Sequence, residues 1–325
     1  MRFQTVSFGV LALALAVTAA PAGLSAQPKD KAADILAQAR KAIGGSKLDS
    51  LKTFSADATA QRNVGTMQMT SDVELLLALP DKYLRSDAST GGPMSISSNS
   101  GFNGDKPLAR AGRAGGGGMV FVMGPGGAMP GEKPTPEQQA EMDKVALRSA
   151  RQDISRLMLG WFATAHPSLN VTYTYAGEAE SADGKADVID VKDADGFNAR
   201  VFIDQQSHLP LMLTYQGPKR RIMTAGGPMA TTQGGAHTQS SARPSTDEER
   251  KKAMEAIQKQ REQMESQPPE MVEYRMFFGE WTDVDGIRFP MKLQRATEGT
   301  TDEEWSISKV KVNPKIDLKK FEIPS

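Results

Sequence analysis

Short runs of alternating apolar and polar residues, each ending at a turn former, recur along this chain. A period of two predicts a strand with one buried face, and Asp-Gly or Asn-Gly between two such runs predicts a hairpin. One run has its apolar positions at Ile287, Phe289, Met291 and Leu293. The dipeptides stand at Asn103-Gly104, Asp183-Gly184, Asp195-Gly196 and Asp285-Gly286. The repeated pattern predicts about eleven strands in one large, curved antiparallel sheet.

Two acidic residues in one of these turns, Asp283 and Asp285, raise the alternative of a calcium loop. Such a loop needs an oxygen ligand at its fifth position and a glycine at its sixth. Counted from Asp283, those positions hold Ile287 and Arg288. Because a run rich in aromatic residues precedes the turn and an alternating run follows it, the sequence favours a simple hairpin.

Two helices are predicted besides the strands. Residues 30–43 have apolar residues at helical spacing, and Gly44-Gly45 ends the pattern. A longer helix is predicted from Pro136 to Ala165. Its apolar stripe consists of Ile154, Leu157, Met158, Trp161 and Phe162. Gly160 lowers helix stability by about 1 kcal/mol relative to alanine, so we expect this end to open as a lid, with Trp161 near the opening.

Residues 1–26 have the pattern of a secretory signal peptide. A basic residue, Arg2, precedes the apolar residues 8–17, and small residues follow. The apolar run is too short to span a bilayer. We expect cleavage after export and a bacterial periplasmic location, with residues 27–325 forming one domain.

The overall composition narrows the classes of partner. The chain has 39 basic and 39 acidic residues, which favours neither nucleic acid nor an anionic membrane surface. No second apolar run approaches the length of a membrane helix, so no stable membrane span is predicted. The chain has no cysteine, and we therefore expect neither a disulfide nor lipidation of the protein itself.

Two segments differ in composition from the predicted strands and are interpreted as insertions. Residues 109–135 are rich in glycine, and this composition predicts a mobile loop at 112–131. A phosphate-binding loop is the alternative, but the Gly-Lys-Ser/Thr ending of such a loop is missing. Residues 224–268 begin as a low-complexity stretch and continue as a charged helix at 245–267, whose start has the pattern of a capping box.

Residues able to carry catalysis or hold a metal are few. The histidines His166, His208 and His237 lack partners at ligand spacing and are expected to lie exposed. The acidic run Asp302, Glu303 and Glu304 is expected in a solvated turn. We predict no catalytic residue, cofactor or metal. Thioether ligands for copper(I) are a further alternative, and the methionines concerned are Met67, Met69, Met119, Met123 and Met129.

The C-terminal half resembles the LolA/LolB/RseB superfamily of outer-membrane lipoprotein-sorting proteins. The resemblance lies in a strand leading to Leu209-Pro210, the hairpin at Asp285-Gly286 with Phe289-Pro290, and the late Phe321-x-x-Pro324. Residues 39–60 also resemble this group. The resemblance implies a half-open, incomplete β-barrel with capping helices over an apolar cavity that holds acyl chains.

From this resemblance we expect a non-catalytic carrier of lipid or acylated lipoprotein that takes part in lipoprotein sorting. The alternative is an RseB-like envelope sensor or scaffold that binds a protein partner through helix 245–267. The candidate cavity residues are Ile154, Leu157, Met158, Trp161, Phe162, Val272, Tyr274, Met276 and Phe278. An ordinary core formed by the same side chains is the other interpretation.

Overall fold

The computed structural model describes residues 28–64, 67–89, 95–108, 110–114, 120–121, 135–182, 184–219, 223–224 and 270–322. The predicted signal peptide, helix 245–267 and almost all of the low-complexity stretch therefore lie outside the described residues. None of the described helices is both long and apolar enough to cross a membrane.

Fifteen strands and three α-helices make up the described chain. The helices are α1 (Pro28–Ile43), α2 (Ser46–Asp49) and α3 (Pro136–Phe162), and a 3-10 turn follows at Leu318–Phe321. The first seven strands are β1 (Thr53–Val64), β2 (Met67–Ala78), β3 (Lys82–Ser89), β4 (Ser95–Asn103), β5 (Lys106–Pro107), β6 (Arg110–Ala114) and β7 (Val120–Phe121). The others are β8 (Thr172–Ser181), β9 (Gly184–Lys192), β10 (Asn198–Asp204), β11 (Pro210–Pro218), β12 (Met223–Thr224), β13 (Met271–Val284), β14 (Ile287–Thr297) and β15 (Thr300–Val312).

Thirteen of the strands form one antiparallel sheet. Its order is β5-β4-β3-β2-β1-β15-β14-β13-β11-β10-β9-β8, with β6 paired to β4. Among the described strands, β5 and β8 end this path and do not pair with each other, so the sheet stays unclosed. The predicted open antiparallel sheet is confirmed, with two short strands, β5 and β6, beyond the number expected.

The sheet curves around helix α3. Arg151 donates to the carbonyl of Gly104 in the β4–β5 turn, and Arg148 donates to the carbonyl of Asp195 in the β9–β10 turn. The path from β4 to β10 crosses eight strand spacings, about 38 Å in a flat sheet. The two arginines are only about 4.5 Å apart along the helix axis. A flat sheet cannot bring both turns to one stretch of helix, so the strands form a half-barrel.

The hairpin between β13 and β14 is closed by a two-residue turn, as predicted. Asp285 and Gly286 both have positive φ, at 54° and 79°, which is typical of the tight turn that suits twisted strands. Asp283 accepts a hydrogen bond from the Gly286 N–H at 2.9 Å. The Asp283 carboxylate therefore shapes the turn, and the interpretation as a hairpin is confirmed.

The C-terminal part of α3 lies inside the half-barrel. Residues 157–163 are all buried, and a helix that is apolar on every side is a core element. Trp161 contacts the rings of Phe54, Phe162 and Phe289 at centroid distances of 5.8, 6.3 and 4.9 Å. The helix ends at Phe162, three residues before the predicted end, because Ala163 adopts a left-handed conformation with φ 50°.

One predicted loop is partly a strand. Residues 110–114 form β6 and pair with residues 95–99 of β4, although 112–131 was expected to be a mobile loop. The pairing satisfies backbone N–H and C=O groups of β6. The expectation of a loop is wrong for residues 112–114, and also for residues 120–121, which form β7 and pair with β12.

Candidate functional site

The nine candidate cavity residues meet on the concave face of the sheet. Five come from α3 and four from β13, and each is at most 8% exposed. Alternation along β13 explains why Val272, Tyr274, Met276 and Phe278 share one face. Seven of the nine belong to one buried apolar cluster, although α3 and β13 lie more than a hundred residues apart in the chain. Val272 and Tyr274 lie outside that cluster, further along the same face of β13.

Gly160 of α3 lies directly against the Phe278 ring of β13. A Cβ atom at this position would lie 1.9 Å from Cζ of Phe278 and 2.3 Å from two other ring atoms. The glycine therefore permits the helix to approach the strand. The sequence suggested instead that Gly160 weakens the end of the helix. Trp161, expected near an opening, is 1% exposed and is a core residue in the described state.

At the other end of the apolar face, two tyrosines from neighbouring strands stack. The rings of Tyr274 and Tyr215 lie 5.1 Å apart at an angle of 17°. The Tyr274 hydroxyl donates to the carbonyl of Pro218 at 2.8 Å, and Val272 stands opposite Gly217 in the register of β11 and β13. Tyr274 therefore combines an apolar face with a satisfied polar tip.

A group of charged side chains shares the concave face with these apolar residues. We call it the arginine cluster; its members are Arg62, Arg85, Asp87, Asp153, Arg295 and Glu303. Strands β1, β15 and β14 place Arg62, Glu303 and Arg295 side by side in register. Helix α3 contributes Asp153. Five strand positions and one helix position thus meet at one site.

Glu303 is at the centre of the arginine cluster. Its Oε1 lies 2.8 Å from Nε of Arg62 and 3.6 Å from Nη2 of Arg85, and its Oε2 lies 3.7 Å from Nη1 of Arg295. The indole N–H of Trp305 donates to Oε1 at 2.7 Å. The guanidinium carbons of Arg85 and Arg295 also lie 4.7 and 5.6 Å from the Trp305 ring. One carboxylate therefore organises three arginines around one indole.

Asp153 connects helix α3 to the same arginines. Its carboxylate lies 3.3 Å from Nη2 of Arg295 and 3.7 Å from Nη1 of Arg85, and the Tyr83 hydroxyl donates to it at 3.4 Å. The side chain of Asp153 is 29% exposed, whereas those of the two arginines are each 8% exposed. Asp153 therefore stands between the buried cations and solvent.

The neighbours of Glu303 and Arg85 favour the charged forms of these two side chains. Burial by itself would raise the pKa of the Glu303 carboxyl, but Arg295, Arg85 and Arg62 hold this pKa well below its usual range. Burial would likewise lower the pKa of Arg85, but Asp87 and then Glu303 raise it above the ordinary arginine value. Three guanidinium groups thus face three carboxylates, and the charges balance.

The sequence analysis missed Glu303. It was expected with Asp302 and Glu304 in a solvated turn, but it lies inside β15 and is 3% exposed. The alternation of side chains between the two faces of a strand would have identified it as buried. Glu303 alternates in step with the buried Trp305 and Ile307, so a strand that begins at Thr300 points it inward.

The expectation of exposed histidines is wrong for His166. This residue is 0% exposed and packs edge-on against Phe102 with a centroid distance of 5.3 Å. Its Nδ1 accepts the backbone N–H of Ser168 at 3.1 Å. Burial lowers the pKa of His166 to about 4. His208 lies half-buried in a turn, and His237 is outside the described residues.

Within the described ranges, no three His, Cys, Asp or Glu side chains are arranged to hold a metal ion. Of the five methionines considered for copper(I), Met69 has a described side chain; it is half-buried and stands opposite Arg62 in the register of β1 and β2. The other four side chains lie outside the described part.

Comparisons with known proteins give likenesses in structure only. No family model matches the chain, and no curated protein matches its sequence. A DUF1329 family protein from Desulfovibrio piger is 9% identical, with a TM-score of 0.44 over 91% of this chain and 98% of the other. A LolA superfamily protein from Nitrosomonas europaea is 8% identical, with a TM-score of 0.43 over 90% and 97%.

A third similar structure is an outer membrane lipoprotein-sorting protein domain from Vibrio parahaemolyticus. It is 9% identical, with a TM-score of 0.42 over 90% of this chain and 97% of that one. The superfamily that the sequence resembles is thus among the similar structures. At these identities and TM-scores the likenesses carry no argument about function, and the fold rests on the strand pairing described above.

Proposed function

We propose that this protein is a periplasmic carrier that binds the acyl chains of a lipid or lipoprotein between helix α3 and the concave face of its sheet. The observation that supports the proposal is the apolar cluster on the concave face of an unclosed sheet, to which seven of the nine candidate side chains belong. Burial of an acyl chain on such a surface contributes about 0.8 kcal/mol per methylene. No chemical step is needed, so the proposed protein is not an enzyme.

In the described state the apolar face is covered by α3 itself. An acyl chain can reach the face when part of α3 withdraws from β13. Contacts between the helix and the strand, such as that of the Gly160 backbone with the Phe278 ring, are then replaced by contacts to the ligand. Because β5 and β8 leave the sheet unclosed, this movement breaks no strand pairing among the described residues. An open half-barrel is thus suited to admit a long ligand.

The remaining parts of the proposal come from the sequence. Residues 1–26 would direct export, and residues 27–325 would form one domain with insertions at 109–135 and 224–268. The resemblance to the LolA/LolB/RseB superfamily supports a role for the carrier in outer-membrane lipoprotein sorting. The pairing of β1 with β15 supports a single domain, because it joins the two halves of the chain.

Displacement of a fluorescent fatty acid from the purified mature protein tests the proposal. We expect micromolar binding, and lipid released on denaturation should be detected by mass spectrometry. Failure to bind any fatty acid, phospholipid or lipopeptide at micromolar concentration would leave the carrier without support. Loss of a captured envelope protein on deletion of residues 245–267, with lipid binding intact, would favour the RseB-like sensor instead.

A further inference from the structure

Helix α3 is attached to the sheet by charge as well as by apolar packing. Three donors from two strands converge on the Asp153 carboxylate: Nη2 of Arg295, the hydroxyl of Tyr83 and Nη1 of Arg85, at 3.3, 3.4 and 3.7 Å. Asp153 directly precedes Ile154 and stands one turn before Leu157, which belong to the apolar stripe. A polar site and an apolar surface therefore adjoin on one face.

The charge balance of the arginine cluster depends on the position of α3. Arg62, Arg85 and Arg295 are balanced by Asp87, Glu303 and Asp153. Asp153 is the one acid of the three that the helix supplies. If α3 withdraws to admit a ligand, the sheet keeps three guanidinium groups and two carboxylates. The concave face then has one excess positive charge, and a buried charge without a partner is strongly unfavourable.

Arg295 has donor capacity beyond its present contacts. A guanidinium group has five N–H donors, and the buried Nε of Arg295 has no hydrogen-bond partner among the described residues. Its contact with Glu303, at 3.7 Å, is an ion pair longer than a hydrogen bond. A carboxylate or phosphate can engage two such donors at once. The site is therefore built to accept an anion with more than one oxygen.

We propose that Asp153 occupies the site of an anionic headgroup, and that the carboxylate or phosphate of an amphiphile replaces it on Arg295, Arg85 and Tyr83. The acyl chain of the same molecule then lies along the apolar face that α3 uncovers. This inference rests on the proposed carrier function and narrows its ligand to anionic amphiphiles. The headgroup also supplies the negative charge that the withdrawn helix removes.

Three amphiphiles with the same chain test the inference by calorimetric titration of the full mature chain. Decanoate, decyl phosphate and the uncharged 1-decanol are compared below their aggregation concentrations. We expect at least one anion to bind the wild type at least tenfold more tightly than decanol, and the tighter anion identifies carboxylate or phosphate as the headgroup. Equal affinity for all three would overturn the inference.

Two substitutions in the arginine cluster sharpen the test. Arg295→Met should abolish the preference for anions, whereas Arg200→Met, which removes an exposed arginine paired with Asp190 on the outer face, should keep it. Asp153→Asn removes the internal competitor, so it should raise the affinity for the anions several-fold more than the affinity for decanol. If Arg295→Met does not fold, the affinities of Asp153→Asn still test the proposed headgroup site.

The outcomes separate the inference from the proposed function. A preference that persists in Arg295→Met, or weaker anion binding by Asp153→Asn, would overturn the headgroup site alone. Binding of decanol and of both anions without preference keeps the carrier and removes the headgroup site. Absence of binding by all three amphiphiles would overturn both the carrier function and the inference that rests on it.

Discussion

Among single residues, Glu303 has the largest electrostatic role on the concave face. Glu303→Gln would leave Arg85 and Arg295 without their shared carboxylate, and breaking a buried ion pair costs about 3–5 kcal/mol. Glu304→Gln is the matched control. Glu304 points to the other face, is 38% exposed and pairs with Lys292 at 3.0 Å, so its loss should cost at most about 1 kcal/mol. Urea unfolding measures the free energy of unfolding of both variants. Equal losses of stability in the two variants would contradict the central electrostatic role of Glu303.

His166 should make stability depend on pH. Its pKa is about 4 in the folded protein, against about 6.5 in the unfolded chain. The unfolded state therefore binds the proton first as pH falls. The contribution is fully present above pH 6.5 and is lost towards pH 4, by about 3 kcal/mol in all.

His166→Gln should flatten this part of the profile of unfolding free energy between pH 7 and pH 4.5. His208→Gln, at a half-buried turn position, is the control for the replacement of a histidine by glutamine. An unchanged profile in His166→Gln would show that the buried imidazole is not the group that titrates.

Gly160 provides a third test at the residue scale. In an exposed helix, glycine to alanine stabilises by about 1 kcal/mol. Gly160→Ala should instead destabilise by about 1–3 kcal/mol, because the new methyl group overlaps the Phe278 ring. Ser149→Ala, at an exposed position of the same helix, should change stability by at most about 0.5 kcal/mol. A stabilised Gly160→Ala variant would contradict the close approach of α3 and β13.

Single residues also show which features can be predicted from sequence and which cannot. Side chains alternate between the two faces of a strand, so extending the predicted strand to Thr300 would have placed Glu303 on the inner face. The contacts of Asp153 could not be foreseen, because its partners Arg85 and Arg295 come from strands that the sequence does not place near α3. His166 was misjudged because a helix end is usually exposed, whereas this one lies inside the half-barrel.

At the scale of elements, α3 has two parts with different environments. Residues 135–141 are exposed, and residues 157–163 are buried on all sides. Local opening needs little free energy where few buried contacts exist. Hydrogen exchange should therefore be fast in the amides of the first three turns and slow in the last two. Uniform protection along α3 would contradict this division.

The sequence predicted some elements better than others. Hairpins at Asn103-Gly104 and Asp285-Gly286 were predicted correctly, because their turn geometry is determined by adjacent residues. Strand β6 was missed, because its sequence, RAGRA, has no alternation of large apolar and polar residues, and the strand is recognised only through its pairing with β4. Turns between adjacent strands can be predicted from the local sequence, but the pairing of strands that are distant in the chain cannot.

At the scale of the whole molecule, the half-barrel depends on the pairing of β1 with β15 and on the curvature around α3. The antiparallel class followed from the hairpin spacing, but the strand order did not. The apolar face and the arginine cluster lie side by side only because of that order. The proposed binding of an anionic amphiphile is thus a property of the folded sheet that no single motif carries.

The most direct test of this account is a distance measurement between α3 and the sheet by pulsed spin resonance, with and without decanoate. The chain has no cysteine, so spin labels attach only at introduced positions. Lys144→Cys, at a site 79% exposed on α3, is combined with Lys309→Cys on the exposed side of β15. The control pair, Lys192→Cys with Lys309→Cys, lies entirely on the sheet.

Decanoate should produce a second, separate distance population for the pair that includes α3 and should leave the control pair unchanged. This result would show that the ligand enters as the helix withdraws. Saturating decanoate binding with an unchanged distance between α3 and β15 would place the ligand elsewhere and would contradict binding beneath the helix.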